Sequence, residues 1–352
     1  MENDFMTRRE MLAMAGTAPV WLPAGFAQQG KTRLGAARAA FNVRQAAEGR
    51  IWGSSPMVEH CHALGLGGAQ TTLEGIELEP AKELRKKVEG YGMQLILNVP
   101  TLPGGEDQAF KFGVALEACK AAGAFCLHAE TSMRRWEQYD SLEAFRKDFQ
   151  RVQNSVAIAE PMLRKYKIKL AIENHKDWRA AEQAAWLKRL DSEWVGVCLD
   201  LANNIALCED PMDTVKMLAP YTIMCHIKDV GLDMYEDGFL LSEVVMGEGI
   251  LDLKQIVQIL RKQDADMPFY LEMVTRDPTE IPVFTDKYWA SFDNTYSPLP
   301  GRDLARTLNL VRKNPPKKPL PRVTGLSQEA AVKFEDENNR KSIEYARQVL
   351  SI

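Results

Sequence analysis

Histidine is scarce in this chain, with five among 352 residues. No G-x-G-x-x-G turn and no Walker pattern follows an early strand, which excludes the common phosphate-cradling loops. None of the six cysteines forms a C-x-x-C pair, so a zinc cluster built on such pairs is excluded. A disulfide framework is disfavoured by the length of the chain. Cys126, Cys198 and Cys225 fall inside apolar strand-like runs, where a thiol behaves as a small hydrophobe. The net charge is −4 and no basic stripe is present, which argues against a nucleic-acid partner. No run is long and apolar enough for a permanent membrane span.

The first segment reads as an address rather than as fold. Arg8-Arg9 precedes the apolar run "MLAMAGTAPVWLPAGFA", and Gly25 and Ala27 stand at the −3 and −1 positions of a cleavage point before Gln28. Charged start, short apolar middle and small-residue exit are the parts of an export signal, and the arginine pair points to the twin-arginine route. Residues 1–27 are therefore read as a signal and the expected location is the periplasm.

From about residue 33, short apolar runs alternate with longer amphipathic ones. Eight strand candidates are "TRLGAARAAFNV", "GGAQTTL", "MQLILNVP", "AFCLHAE", "IKLAIENH", "VGVCLDLAN", "YTIMCHIKDV" and "PFYLEMVT". Alternation of strand and helix implies parallel pairing, and near-continuous apolar strands imply burial on both faces. Eight such units fit an α/β fold of the (β/α)8 TIM-barrel type over residues 33–275. After the seventh run the sequence reads as a loop followed by the helix "LDLKQIVQILRKQ". Residues 276–352 form a C-terminal extension, with the proline-rich connector "NPPKKPLPRV" and a closing helix for which Ser327 is a candidate N-cap.

The strand ends carry the chemistry. Glu173, Asp200, His226 and Glu272 close or lie in the fifth to eighth strand candidates. In a barrel these ends converge on one mouth, with neighbouring strands about 4.8 Å apart. Three carboxylates crowded there raise one another's pKa, and a divalent cation resolves the conflict. Two Glu, one Asp and one imidazole suit one ion, Mn²⁺ first, with Mg²⁺, Co²⁺ or Fe²⁺ also fitting. Alternation turns His175 the same way as Glu173 and Lys228 the same way as His226. His128 and Glu130 end the fourth strand candidate. Asn203 either caps the next helix or meets a substrate hydroxyl. Glu248, held between two glycines, either makes a turn or reaches the mouth. Arg276 either pairs with Asp277 or anchors an anionic substrate group.

The set "AIENH", "CLDLAN", "CHIKD", "GEG" and "YLE" resembles the xylose isomerase-like TIM-barrel superfamily over about residues 33–275. Resemblance to its ketose 3-epimerase branch implies that Glu173, Asp200, His226 and Glu272 bind one metal. It also implies that Glu173 and Glu272 are the proton-transferring pair. This chain departs from that branch at Asn203, where a histidine is usual, and in its longer tail. The expected activity is a divalent-metal-dependent isomerase or epimerase of a sugar or keto-sugar, working through a metal-stabilised enediolate. A lyase or decarboxylase on an oxidised sugar, such as 3-oxo-isoapionate or a 3-keto-glycoside, uses the same site. A non-catalytic carbohydrate-binding barrel is the reading outside enzymes. The partners expected are a small carbohydrate or sugar acid and, at most, further copies of the chain.

Overall fold

The computed structural model describes residues 33–292 and 301–352, so the segment read as an export signal, residues 1–27, lies outside the described residues. Along the chain the strands are β1 Gly35–Ala37, β2 Gly68–Thr71, β3 Gln94–Asn98, β4 Cys126–Ala129, β5 Lys169–Glu173, β6 Val195–Asp200, β7 Thr222–Ile227, β8 Asp229–Tyr235, β9 Gly238–Val244, β10 Phe269–Leu271 and β11 Thr279–Ile281. Eight of them close into a parallel ring in the order β1-β10-β7-β6-β5-β4-β3-β2. Helices lie between them, and the fold is the (β/α)8 TIM barrel.

Each element follows from local physics. The strands of the ring are apolar on both faces because helices cover the outside and side chains fill the inside. The helix Leu253–Gln263 buries Leu253, Ile256, Val257 and Leu260 at helical spacing. Its N-terminus is capped by Asp252, whose side chain accepts from the Gln255 amide at 3.0 Å.

The barrel interior is stacked in layers. At the floor, Tyr270 of β10 lies across the ring, and the close approach requires glycine opposite. A Cβ on Gly35 would stand 2.4 Å from the Tyr270 ring, and one on Gly68 would stand 2.5 Å from its hydroxyl. Above the floor, Ile96, Cys126, Ala171, Cys198 and Met224 pack with Tyr270 as one apolar cluster. The polar residues of the strand ends stand above that cluster. All six cysteines are buried and free.

One feature departs from the sequence reading. The stretch after the seventh strand is not a loop: β8 and β9 form an antiparallel hairpin, and β11 of the extension adds to it as a third strand. The extension is also bound to the barrel. Ser327 accepts from the Ala330 amide at 3.2 Å and starts the helix Gln328–Tyr345. From that helix, Glu335 accepts from the amides of Val43 and Arg44 at 2.7 and 2.9 Å. Asn339 donates to the Ala40 carbonyl at 2.6 Å, and Asn338 to Thr275 Oγ1 at 3.0 Å. The closing helix thus joins the chain that leaves β1 to the chain that leaves β10, across the seam where first and last barrel strands meet.

Tyr270→Ala removes the floor and should cost about 3–5 kcal/mol of stability, read as a lower urea midpoint at unchanged slope. Glu335→Ala leaves the amides of Val43 and Arg44 unpaired, at about 1–3 kcal/mol each. Hydrogen exchange should show both amides losing protection, and unchanged protection refutes the role of Glu335 at the seam.

Candidate metal and catalytic site

Glu173, Asp200, His226 and Glu272 come together at the mouth, each offering one ligand atom, all within 4.8 Å of one another. Glu173, Asp200 and His226 are buried, and Glu272 is the more open, its side chain 14% exposed. His226 Nε2 lies 2.6 Å from Gln70 Oε1 and donates its proton there. His226 Nδ1 therefore presents a lone pair inward. It has no hydrogen-bond partner among the described residues. Instead it lies 3.5 Å from Glu173 Oε2 and 3.6 Å from Glu272 Oε1. A lone pair facing two carboxylate oxygens is repulsive until a cation or a proton stands between them, so these donors fit a divalent ion.

Lys228 joins this cluster. Its Nζ lies 2.7 Å from Asp200 Oδ1 and 2.9 Å from Glu272 Oε2. Burial alone would lower the Lys228 pKa, but the carboxylates of Asp200, Glu272 and Glu243 hold it well above the ordinary lysine value. The reciprocal effect works against burial at Glu272, where Lys228 and His226 hold the carboxyl below the usual carboxylate range. Glu173 is likewise held low despite its burial, by the imidazoles of His128 and His226 beside it.

Asn203 reaches the cluster through a backbone kink. Ala202 adopts a left-handed φ of 69°, a conformation that costs a residue with a Cβ about 1–3 kcal/mol. The kink aims Asn203 back at the site, where Nδ2 donates to Asp200 Oδ2 at 2.5 Å and to Glu173 Oε1 at 3.3 Å. Its Oδ1 accepts from Lys176 at 2.6 Å and from Lys228 at 3.2 Å. Both ends of this amide are committed to orienting the acidic groups. Asn204 faces Trp178, Glu209 and Asn174 instead.

The other residues singled out from the sequence divide. His128 lies at the mouth, its Nε2 2.7 Å from Glu173 Oε2. His175 lies on the rim: β5 ends at Glu173, alternation stops there, and the His175 ring is held 3.0 Å from the Ser132 carbonyl and 3.2 Å from Glu130. Burial, then the charge of Glu173, pushes the Glu130 carboxyl up to about 7. Arg276 does not pair with Asp277. It forks onto Glu243 of β9 at 2.8 and 3.3 Å, while Asp277 accepts from the amides of Val323 and Thr324. Glu248 stands apart from the four donors and pairs with Lys318 of the proline-rich connector at 2.7 Å. The flanking glycines serve a turn: Asp229 accepts from the amides of Gly247 and Gly249 at 3.0 Å each. A Cβ on Gly249 would meet Asp229 Oδ1 at 2.1 Å.

Four residues of the site escaped the sequence reading. Gln70 and Asn98 are polar ends of apolar strands, which is the signal that exposed the four acidic and imidazole groups. Glu243 lies in the hairpin, where the sequence reads as a loop. Lys176 is buried with a left-handed φ of 65°. Burial, then the charges of Lys228 and Arg276, lowers its ammonium to about 8.

Comparison with known proteins agrees with this architecture. The chain is 28% identical over 109 residues to 3-oxo-isoapionate decarboxylase of Pectobacterium atrosepticum, a stretch covering 30% of this chain and 40% of that relative. The match therefore spans less than half of the relative's length. D-psicose 3-epimerase, crystallised in the presence of D-fructose, superposes with a TM-score of 0.54 at 16% identity, covering 84% of this chain and 93% of that one. A xylose isomerase-like TIM-barrel protein from Mycobacterium smegmatis, in complex with magnesium, superposes with a TM-score of 0.51 at 14% identity, covering 80% and 96%. At such identities these likenesses bear on the fold. A model of the xylose isomerase-like TIM-barrel family matches residues 58–289, more than half of the chain, and the protein belongs to that family.

Proposed function

We propose that this protein is a divalent-metal-dependent isomerase or epimerase of a sugar or keto-sugar, with Mn²⁺ as the preferred ion. The observation that carries the reading is the inward lone pair of His226 Nδ1, without a hydrogen-bond partner among the described residues, facing Glu173 and Glu272. Glu173, Asp200, His226 and Glu272 would hold the ion. When bound it supplies Lewis-acid polarisation of a carbonyl and the neighbouring hydroxyl.

The chain's own groups then divide the proton work. Glu272 is the more open glutamate and stays ionised beside Lys228, so it is the base that takes the proton from the carbon next to the carbonyl. Glu173 returns a proton. Delivery to the neighbouring carbon isomerises the sugar, and delivery to the opposite face of the same carbon epimerises it. Lys228 holds Glu272 and Asp200 in place through its ammonium. The barrel-mouth placement supports this reading, as does likeness to a fold used by an epimerase. The twin arginines support action in the periplasm.

One observation favours a second reading. Lys176, Lys228 and Arg276 gather closely enough that the latter two depress the first, which suits a substrate bearing a carboxylate. On a β-keto sugar acid the C–C bond to the carboxylate breaks, its electron pair moves towards the keto group, CO₂ leaves, and a glutamate protonates the carbon. The partial match to 3-oxo-isoapionate decarboxylase points the same way.

A panel of keto-sugars and 3-oxo sugar acids in D₂O with MnCl₂ separates the readings. Deuterium entering carbon with no carbon lost supports isomerase or epimerase, CO₂ release supports the decarboxylase, and binding without either supports a carbohydrate-binding barrel. Glu272→Gln should still bind manganese while its exchange rate falls about 10²–10⁴-fold; an unchanged rate removes Glu272 from the proton role. A divalent ion at about 100 times its Kd should stabilise the fold by about 2.7 kcal/mol, and a chelator should reverse it. A melting temperature indifferent to the chelator argues against the ion.

A further inference from the structure

Within the barrel, β6 turns Cys198 to the same face as Asp200. The register between β5 and β6 sets Cys198 directly beside Glu173. His128, Glu173, Cys198 and His226 each present a ligand atom, and these four atoms also lie within 4.8 Å of one another. All four side chains are buried.

Two carboxamides fix both imidazoles. Asn98 Nδ2 donates to Thr72 Oγ1 at 3.0 Å, and Asn98 Oδ1 accepts from Gln70 Nε2 at 3.3 Å. These bonds leave Asn98 Oδ1 to accept from His128 Nδ1 at 3.2 Å, and Gln70 Oε1 to accept from His226 Nε2 at 2.6 Å. Each ring directs its N–H outward and its other lone pair at Glu173 Oε2: His128 Nε2 from 2.7 Å, His226 Nδ1 from 3.5 Å. Three acceptors that face one another require one positive centre among them. Outer carboxamides that set the tautomer of two histidines are also what a metal-ligating pair needs.

We propose that His128, Glu173, Cys198 and His226 form a second, deeper cation position that takes a thiophilic divalent ion, Zn²⁺ or Cd²⁺. One thiolate and one carboxylate neutralise the ion, two neutral imidazoles complete a tetrahedral set, and no coordination place stays open. The thiol releases its proton on binding. The outer set offers three carboxylates and one imidazole, which suits harder ions. Glu173 and His226 belong to both sets, so the two positions exclude each other. A soft ion seated beside Cys198 leaves Asp200 and Glu272 without their ion and silences the site. The inference shares two side chains with the proposed function but not its readout.

The test titrates the metal-free full-length protein with CdCl₂ and follows the ultraviolet sulfur-to-cadmium charge-transfer band. Wild type should gain the band with one equivalent of Cd²⁺. Cys198→Ser, which keeps the other five thiols, should lose it. His128→Gln should weaken Cd²⁺ binding at least about 10-fold, and melting curves establish that both variants are folded. Glu272→Gln should keep the band. No band in wild type, or an undiminished band in Cys198→Ser, overturns the proposal. Loss of the band in Glu272→Gln also overturns it, since the ion would then occupy the outer set. Absence of Mn²⁺-dependent deuterium exchange would defeat the proposed function and leave the cadmium band untouched.

Discussion

The site depends on the repulsion among buried acceptors at the top of the barrel. Glu173, Asp200 and Glu272 bring three carboxylates to one mouth, and His226 adds a lone pair that no donor among the described residues meets. Everything around them answers that excess. Lys228 stands between Asp200 and Glu272, Asn203 gives both hydrogens of its amide to Asp200 and Glu173, and His128 leans on Glu173. Unpaired buried charge is far costlier than a strained turn. The left-handed backbone at Lys176 and Ala202 is therefore an acceptable cost for the positions it gives Lys176 and Asn203.

How much of this was legible follows from the kind of signal each residue leaves. Glu173, Asp200, His226 and Glu272 stand out because a polar group in or at the end of an apolar strand has no cheap structural reason to be there. The eight strands were readable for the same reason, since each is a short apolar run between amphipathic stretches. Gln70 and Asn98 left an equal mark, but amides suit too many roles to be assigned without partners. Cys198 was hidden by its own chemistry, because a buried thiol reads as an apolar residue. Lys176 owes its place to a backbone turn that no spacing rule reports.

The hairpin shows a different failure. β7 ends at Ile227 and β8 begins at Asp229, so two strands of opposite roles read as one run followed by a loop. Tyr235 pairs with Gly238, so Glu236-Asp237 make the two-residue turn and Gly238 opens β9. Glu243 lies on β9, and its grip on Arg276 depends on the hairpin that the sequence does not announce. The tail differs: its sequence marks a connector and a closing helix, and Glu335, Asn338 and Asn339 bind that helix into the ring.

That last arrangement bears on how the protein comes into being. The first barrel strand, Gly35–Ala37, must find a partner more than two hundred residues later, and the helix that clamps this junction follows later still. A growing chain still attached to the ribosome therefore carries an open ring whose first strand lacks one neighbour. Closure of the cylinder, and with it the gathering of Glu272 beside Glu173, cannot precede the emergence of Phe269–Leu271.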